Sequence, residues 1–199
     1  MNVLELSSVS KRFGERTVLR DLSLTVPEGS IYGFIGENGA GKTTTMKIIT
    51  GLLASDGGEI RICGEKVSYG QTRTNRFVGY LPDVPEFYGY LTAREYLLLV
   101  GGLAGLPSGT LAKRADELLE LVGLSDSASR RIGGFSRGMK QRLGIAQALI
   151  HRPKLLICDE PTSALDPAGR KDIIEILRAI KNETTVLFST HILPDIERV

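Results

Sequence analysis

Three observations in the sequence predict an α/β fold with a mainly parallel sheet, an N-terminal antiparallel β portion and an inserted helical subdomain. In the second half, short apolar runs alternate with amphipathic helical patterns, the arrangement that yields parallel strands joined by helical crossovers. The first 30 residues instead alternate apolar and polar positions, which is a hairpin pattern. Between these parts, residues 86–140 carry helical spacing and no strand signal.

Taken in order, Val3, Leu4 and Leu6 and then Val18, Leu19, Leu22, Leu24 and Val26 flank Phe13-Gly14-Glu15, which reads as strand, turn, strand. Ile31 to Ile35 is a short apolar run that feeds a glycine-rich segment, and residues 43–53 have helical composition. Residues 57–67 predict a short strand pair turning at Cys63-Gly64-Glu65, and residues 77–81 supply one more strand. Thr92 opens a helical pattern through Val100. Leu111, Ala115, Leu118, Leu119 and Val122 then repeat at offsets of 4, 7, 8 and 11, one helical face with Gly123 as its stop. A helix over 137–150 ends before Pro153, followed by a strand over 154–158, a helix over 167–180 and a strand over 184–189. The expected organisation is a single domain, 1–199, with a β portion (1–85), the helical subdomain (86–140) and a second α/β part (141–199).

Hydrophobic residues make up 42% of the chain and charged residues 24%, with a mean hydropathy of +0.00, a balance that permits a buried core. The longest nearly uncharged apolar stretch, Tyr96 to Leu106, has 11 residues, against the ~20 that span a bilayer. The start lacks the basic-then-apolar pattern of a secretory leader, so a cytoplasmic location is expected. A net charge of +2, from 25 basic and 23 acidic residues, gives no electrostatic reason to bind nucleic acid. Cys63 and Cys158 lack metal-ligand spacing and read as reduced core thiols.

Gly36-Glu37-Asn38-Gly39-Ala40-Gly41-Lys42-Thr43 fits G-x-x-x-x-G-K-[ST] and lies between a predicted strand and a predicted helix, as a phosphate-binding loop must. Glycines let the backbone wrap a polyphosphate with its N–H groups inward, and the helix dipole adds positive potential. Lys42 is placed to reach the β- and γ-phosphates and the Thr43 hydroxyl to ligate Mg²⁺, with Thr44 next in the helix. The expected core is therefore that of a P-loop NTPase. Asp159 and Glu160 follow the apolar run Leu155 to Cys158, at the carboxyl end of a parallel strand where ligands of open α/β sheets bind. Asp159 is expected to hold Mg²⁺ opposite Thr43, and Glu160 to polarise the water that attacks the γ-phosphate.

With these elements placed, the whole chain resembles the nucleotide-binding subunit of an ATP-binding-cassette (ABC) transporter. Phe135-Ser136-Arg137-Gly138-Met139-Lys140-Gln141-Arg142 stands where that family has its Leu-Ser-Gly-Gly-Gln signature, 24 residues ahead of Glu160. Ser136 is a good helix N-cap, and its hydroxyl with the following N–H groups makes an anion site. The resemblance implies that Ser136 and Gly138 contact ATP held by a second copy of the chain, or by a homologous ATPase subunit, in a head-to-tail dimer. Ser163-Ala164-Leu165-Asp166 resembles the segment that crosses that interface, although Asp166-Pro167 equally reads as a helix cap. His191 matches the family's switch histidine, which orients the water of Glu160. Phe13 matches the aromatic that stacks on adenine, with Val18 as a second contact; Phe13 fits a hairpin core position equally well. The implied function is an Mg-ATPase using ATP and Mg²⁺, bound at the inner face of the cell membrane through separate transmembrane subunits, and powering export of antibiotics, lipids or other hydrophobic cargo.

Three positions depart from the family pattern. Arg137 replaces the usual glycine of the signature and is expected to stay at the helix surface. Asp83, in Tyr80-Leu81-Pro82-Asp83, replaces the glutamine that links Mg²⁺ and water to the membrane partner. The family also continues past the switch histidine, so a C-terminally truncated cassette is expected. Tyr80, Phe87, Tyr88 and Tyr90 cluster around Pro82 and Pro85 and are expected to form the surface on which the membrane partner docks, the alternative being that the rings form core between the helical subdomain and the sheet. Two alternatives remain: a soluble ABC ATPase of DNA repair or translation, and an ATP-gated clamp with little turnover. Against the repair type, only 94 positions separate Lys42 from Ser136, without sustained heptads.

Overall fold

A computed structural model describes residues 1–198. Along the chain run β1 (Asn2–Phe13), β2 (Arg16–Pro27), β3 (Ile31–Ile35), α1 (Lys42–Ile49), β4 (Gly57–Ile62), β5 (Glu65–Lys66) and β6 (Val78–Leu81), then α2 (Ala93–Leu103), α3 (Ser108–Leu121), α4 (Arg137–Leu149), β7 (Leu155–Cys158), α5 (Pro167–Ile180), β8 (Thr185–Thr190) and α6 (Leu193–Glu197). They form two four-stranded sheets. One is antiparallel, in the order β2-β1-β4-β5; the other is parallel, in the order β3-β8-β7-β6.

Alternation along the central strands explains how the layers stack. Leu155 and Ile157 of β7 and Leu187 of β8 point into a cluster built from the antiparallel sheet and α1, including Leu4, Leu6, Met46 and Ile49. Leu156 and Cys158, with Val186 and Phe188, point the other way into a cluster shared with α2, α3, α4 and α5. Because side chains alternate faces along a strand, a sheet covered on both sides needs apolar residues at every position. Every residue of β7 and β8 is buried, all four of β7 and Val186 to Phe188 of β8 being apolar, while the polar Thr185, Ser189 and Thr190 sit at the ends of β8.

Local chemistry fixes the helix ends. Thr92 and Glu95 form a reciprocal capping box at the start of α2, while Ser136 and Asp166 cap α4 and α5 by accepting from the N–H groups of Met139 and Gly169. Gly123, at φ +64, stands just past α3. Close approach also matters: a Cβ at Gly79 of β6 would lie 2.2 Å from the carbonyl oxygen of Ala148, so only glycine lets α4 lie down on the sheet.

The sequence reading differs from this fold in four places. The first helix stops at Ile49 instead of running to 53, because Gly51 turns left-handed at φ +71. Cys63 is half-buried in the β4–β5 turn, at φ +50, so only Cys158 is a core thiol. The boundary drawn at 140 falls inside α4, a helix that packs on β6 as well as on α2 and α3. The five-residue α6 was not foreseen, being too short for a helical period to declare itself. Among the described residues no helix is long and apolar enough to cross a membrane.

Candidate functional site

The loop from Gly36 to Thr43 joins β3 to α1 at the carboxyl edge of the parallel sheet. Gly39 and Gly41 adopt φ +85 and +91, a region open to glycine at little cost. A Cβ at Gly41 would additionally meet Leu19 Cδ2 at 2.8 Å, so the hairpin β1–β2 presses directly on the loop. Lys42 turns back into the loop. Its Nζ donates to the carbonyls of Gly36 at 2.6 Å and Glu37 at 3.0 Å, and lies 3.0 Å from Glu160 Oε1.

Asp159 and Glu160 follow β7 directly, and Ser189 of β8 separates their environments. Parallel register sets Cys158 beside Phe188, which brings the next residue of β8 against the two acids. The Ser189 hydroxyl donates to Asp159 Oδ1 at 2.8 Å and accepts the N–H of Glu160, also at 2.8 Å. Asp159 is thus fixed in the floor, 2% exposed. Glu160 turns outward at φ +48, a left-handed conformation that costs a non-glycine residue about 1–3 kcal/mol and therefore needs outside support. Support comes from Ser189, from the N–H of Ser163 on the Glu160 carbonyl at 2.9 Å, and from the side-chain partners. Glu160 Oε2 meets His191 Nδ1 at 2.7 Å, so one carboxylate bridges the lysine of the loop and a histidine from beyond β8.

Lys42, Glu160 and His191 line a cleft of about 490 Å³, whereas Asp159, buried behind Glu160, does not. Of the residues singled out in the sequence, Val18, Asn38, Gly39, Gly41, Lys42, Thr43, Thr44, Asp83, Glu160 and His191 line it. Gly36 contributes its carbonyl to Lys42, and the Ala40 N–H closes a turn on Glu37 O at 3.1 Å. Phe13, Ser136, Gly138 and Asp166 do not line the cleft. Phe13 ends β1, 49% exposed, with Lys11 Nζ 5.4 Å from the centroid of its ring. Gly138 lies in the first turn of α4, near Leu165, which sets the capped start of α4 beside the segment 163–166, whose first residue, Ser163, reaches the cleft.

Arg16 also lines the cleft and was not foreseen, nor was Ser189 beneath it; Ser163, expected only as part of the segment that crosses the dimer interface, lines the cleft as well. Ser189 left a signal in the sequence: a polar residue closing an apolar buried strand, where a hydroxyl needs a partner. Burial, with Asp159, Cys158 and Asp83 nearby, pushes the Tyr80 phenol up to about 12. Burial also raises the Cys158 thiol, which stays protonated and inert. The expected aromatic patch divides. Phe87 packs edge-on against Tyr96 at 5.1 Å and joins the core, whereas Tyr88 and Tyr90 are 56% and 70% exposed.

The ABC transporter family model matches residues 19–163, a span that holds the loop, both acids and the Ser136 helix. The chain belongs to the ABC transporter family. Among its relatives in that family are the ABC transporter ATP-binding protein YxlF of Bacillus subtilis, 45% identical over 99% of this chain and 65% of the relative, and the bacitracin transport ATP-binding protein BcrA of Bacillus licheniformis, 41% identical over 99% and 64%. The chain spans just under two thirds of the length of these two. The lantibiotic transport ATP-binding protein SrtF of Streptococcus pyogenes is 40% identical over 99% of this chain and 83% of its own. A solved ATP-binding subunit of an ABC transporter superposes with a TM-score of 0.86 at 36% identity, covering 98% of this chain and 82% of that one. A dimeric post-hydrolysis ATP-binding cassette holding ADP and Pi superposes equally well, at 0.86, with 27% identity over 98% and 90%. The ABC fold, a parallel sheet with added antiparallel strands, is thereby established for this chain.

Proposed function

We propose that this ABC chain binds and hydrolyses ATP, closes head to tail with a second copy or a homologous ATPase subunit, and drives export through separate transmembrane subunits at the inner face of the cell membrane. The observation that carries the reading is the meeting of Lys42, Glu160 and His191 in one cleft at the phosphate loop. Lys42 is held by two carbonyls and Glu160 Oε1; a triphosphate is the stronger partner for an ammonium and competes for it. Oε1 is then left to a water, whose proton Glu160 accepts while His191 fixes the carboxylate from its other oxygen. Mg²⁺ suits the chemistry of the donors: the Thr43 hydroxyl and the Asp83 carboxylate line the cleft, and Asp159, buried next to Glu160, would add a third hard oxygen, with phosphate and water supplying the rest. When bound, the metal neutralises charge developing on the β- and γ-phosphates.

Ser136, Gly138 and Asp166 lie outside the cleft of their own chain. A partner copy turned head to tail would bring its capped α4 terminus, an anion site, to the γ-phosphate, while Phe13 remains exposed for the adenine. The dimeric ADP and Pi-bound cassette is consistent with that arrangement. Bacitracin and lantibiotic transport by BcrA and SrtF supports amphiphilic or peptide antibiotics as cargo.

The test is Glu160→Gln beside Lys42→Ala. The first is expected to keep ATP affinity, lower turnover by about 10²–10⁴-fold, and let the ATP-bound dimer accumulate in size-exclusion chromatography. The second is expected to weaken ATP binding by about 10–100-fold, the loss of a charge-assisted contact. Equal loss of affinity in both variants would make Glu160 a ligand and remove its role as base.

A further inference from the structure

Two carboxylates, Asp83 and Glu160, face the nucleotide cleft, where a polyanion is to bind. A carboxylate aimed at a triphosphate opposes its binding unless a cation offsets it. Glu160 has Lys42 at 3.0 Å. Among the described residues, Asp83 has no cationic side chain from the cleft lining as a partner. Its Oδ1 instead lies 3.5 Å from Nη2 of Arg137, the first residue of α4, which lines a neighbouring groove of about 430 Å³ and not the cleft itself. Asp83 lines both cavities, so the ion pair passes through the wall between them. The same helix grips Asp83 a second time: Gln141, fully buried, donates its Nε2 to the Asp83 carbonyl at 3.0 Å. Lys140 and Glu86 are the other charged residues lining the groove.

Resting on the reading of the cleft as an ATP site, we propose that Arg137 is the countercharge for Asp83, a positioning residue that makes an acid at the cleft rim compatible with nucleotide binding. Both side chains are 46% exposed, so the pair is screened and modest in strength. Its effect is felt through the nucleotide: with Arg137 gone, the carboxylate faces the phosphates unpaired. The two departures from the family pattern are then one feature: Arg137 offsets the charge that Asp83 brings to the rim, while glutamine at 83 and glycine at 137 form a neutral pair that needs no such offset.

The experiment is a double-mutant cycle on the full chain, reading the Kd of a fluorescent ATP analogue in EDTA so that no metal intervenes, with a thermal melt of every variant. Arg137→Gly is expected to raise Kd about three- to fivefold. In an Asp83→Gln background the same substitution is expected to leave Kd within about 1.5-fold, the cycle closing on a coupling of the full single-variant effect. Arg137→Lys, which keeps the charge, should stay near the parent. If glycine loosens α4 in the melt, Arg137→Met, long but uncharged, must give the same three- to fivefold rise. Equal factors in both Asp83 and Asp83→Gln backgrounds would overturn the pairing and leave the proposed function intact. Failure of the parent chain to bind the analogue in EDTA would overturn the pairing, and failure with Mg²⁺ restored would overturn the proposed function with it.

Discussion

At the scale of single residues, the site depends on a hydroxyl that carries no chemistry of its own. Ser189 spends its donor on Asp159 and its acceptor on the Glu160 N–H, so removing it leaves two buried polar groups without partners. Each such group costs about 1–3 kcal/mol, and Glu160 loses one of the bonds that hold it at φ +48. Ser189→Ala is therefore expected to lower stability by about 2 kcal/mol and to reduce turnover at least tenfold while changing ATP affinity little. A thermal melt, a nucleotide titration and a steady-state ATPase assay check the three parts, and an unchanged turnover would remove Ser189 from the site. The carboxylate pair was legible from its place after an apolar strand. The serine was not, because its partner stands 30 positions away in sequence and the contact exists only through the β7–β8 register.

At the scale of elements, α4 is the joint between the helical part and the parallel sheet. Its seat on β6 requires Gly79, where a Cβ would sit 2.2 Å from the Ala148 carbonyl oxygen, an obstacle of rigid backbone. Gly79→Ala is expected to destabilise the fold by about 3 kcal/mol or more, the upper range for overpacking, and a denaturant titration would read it directly. Just past α4, His151 Nε2 lies 3.1 Å from the Val78 carbonyl and must carry the proton of that bond. Burial nevertheless holds the ring below its ordinary value, outweighing that hydrogen bond and a backbone contact with Asn75. The unfolded chain then takes up the proton first as pH falls, so this contribution is complete above the ordinary histidine range and is lost as pH drops below about 6.5. Melting temperatures of the parent are expected to fall more steeply between pH 7 and pH 5 than those of His151→Gln; parallel curves would refute the assignment.

At the scale of the whole molecule, the groups proposed to act on one ATP occupy separate places: Lys42, Glu160 and His191 share a cleft, and Ser136, Gly138 and Asp166 lie outside it. If two copies must meet to complete a site, the ATPase rate of the full-length protein is expected to rise faster than linearly with its concentration until the dimer saturates. Ser136→Ala should lower that rate while leaving ATP affinity of the monomer nearly unchanged. A strictly linear dependence over a wide dilution range would assign all catalysis to a single chain.

The sequence by itself determined the loop from Gly36 to Thr43, the acids after an apolar strand, the capped starts of α2, α4 and α5, and the family those motifs mark. All of these are local: glycines that permit left-handed turns, caps one turn from their N–H partners, and apolar runs that can only be buried strands. Tertiary structure alone decided that the strands divide into two sheets, that Glu160 bridges Lys42 and His191, that Ser189 sets the two acids apart, that Phe87 turns into the core while Tyr88 and Tyr90 stay out, and that Arg137 reaches Asp83 across 54 positions. The physical reason is the same in each case. Which strand lies beside which, and on which face a helix settles, follows from packing over the entire core, and a side chain finds a partner distant in sequence only after that packing is complete.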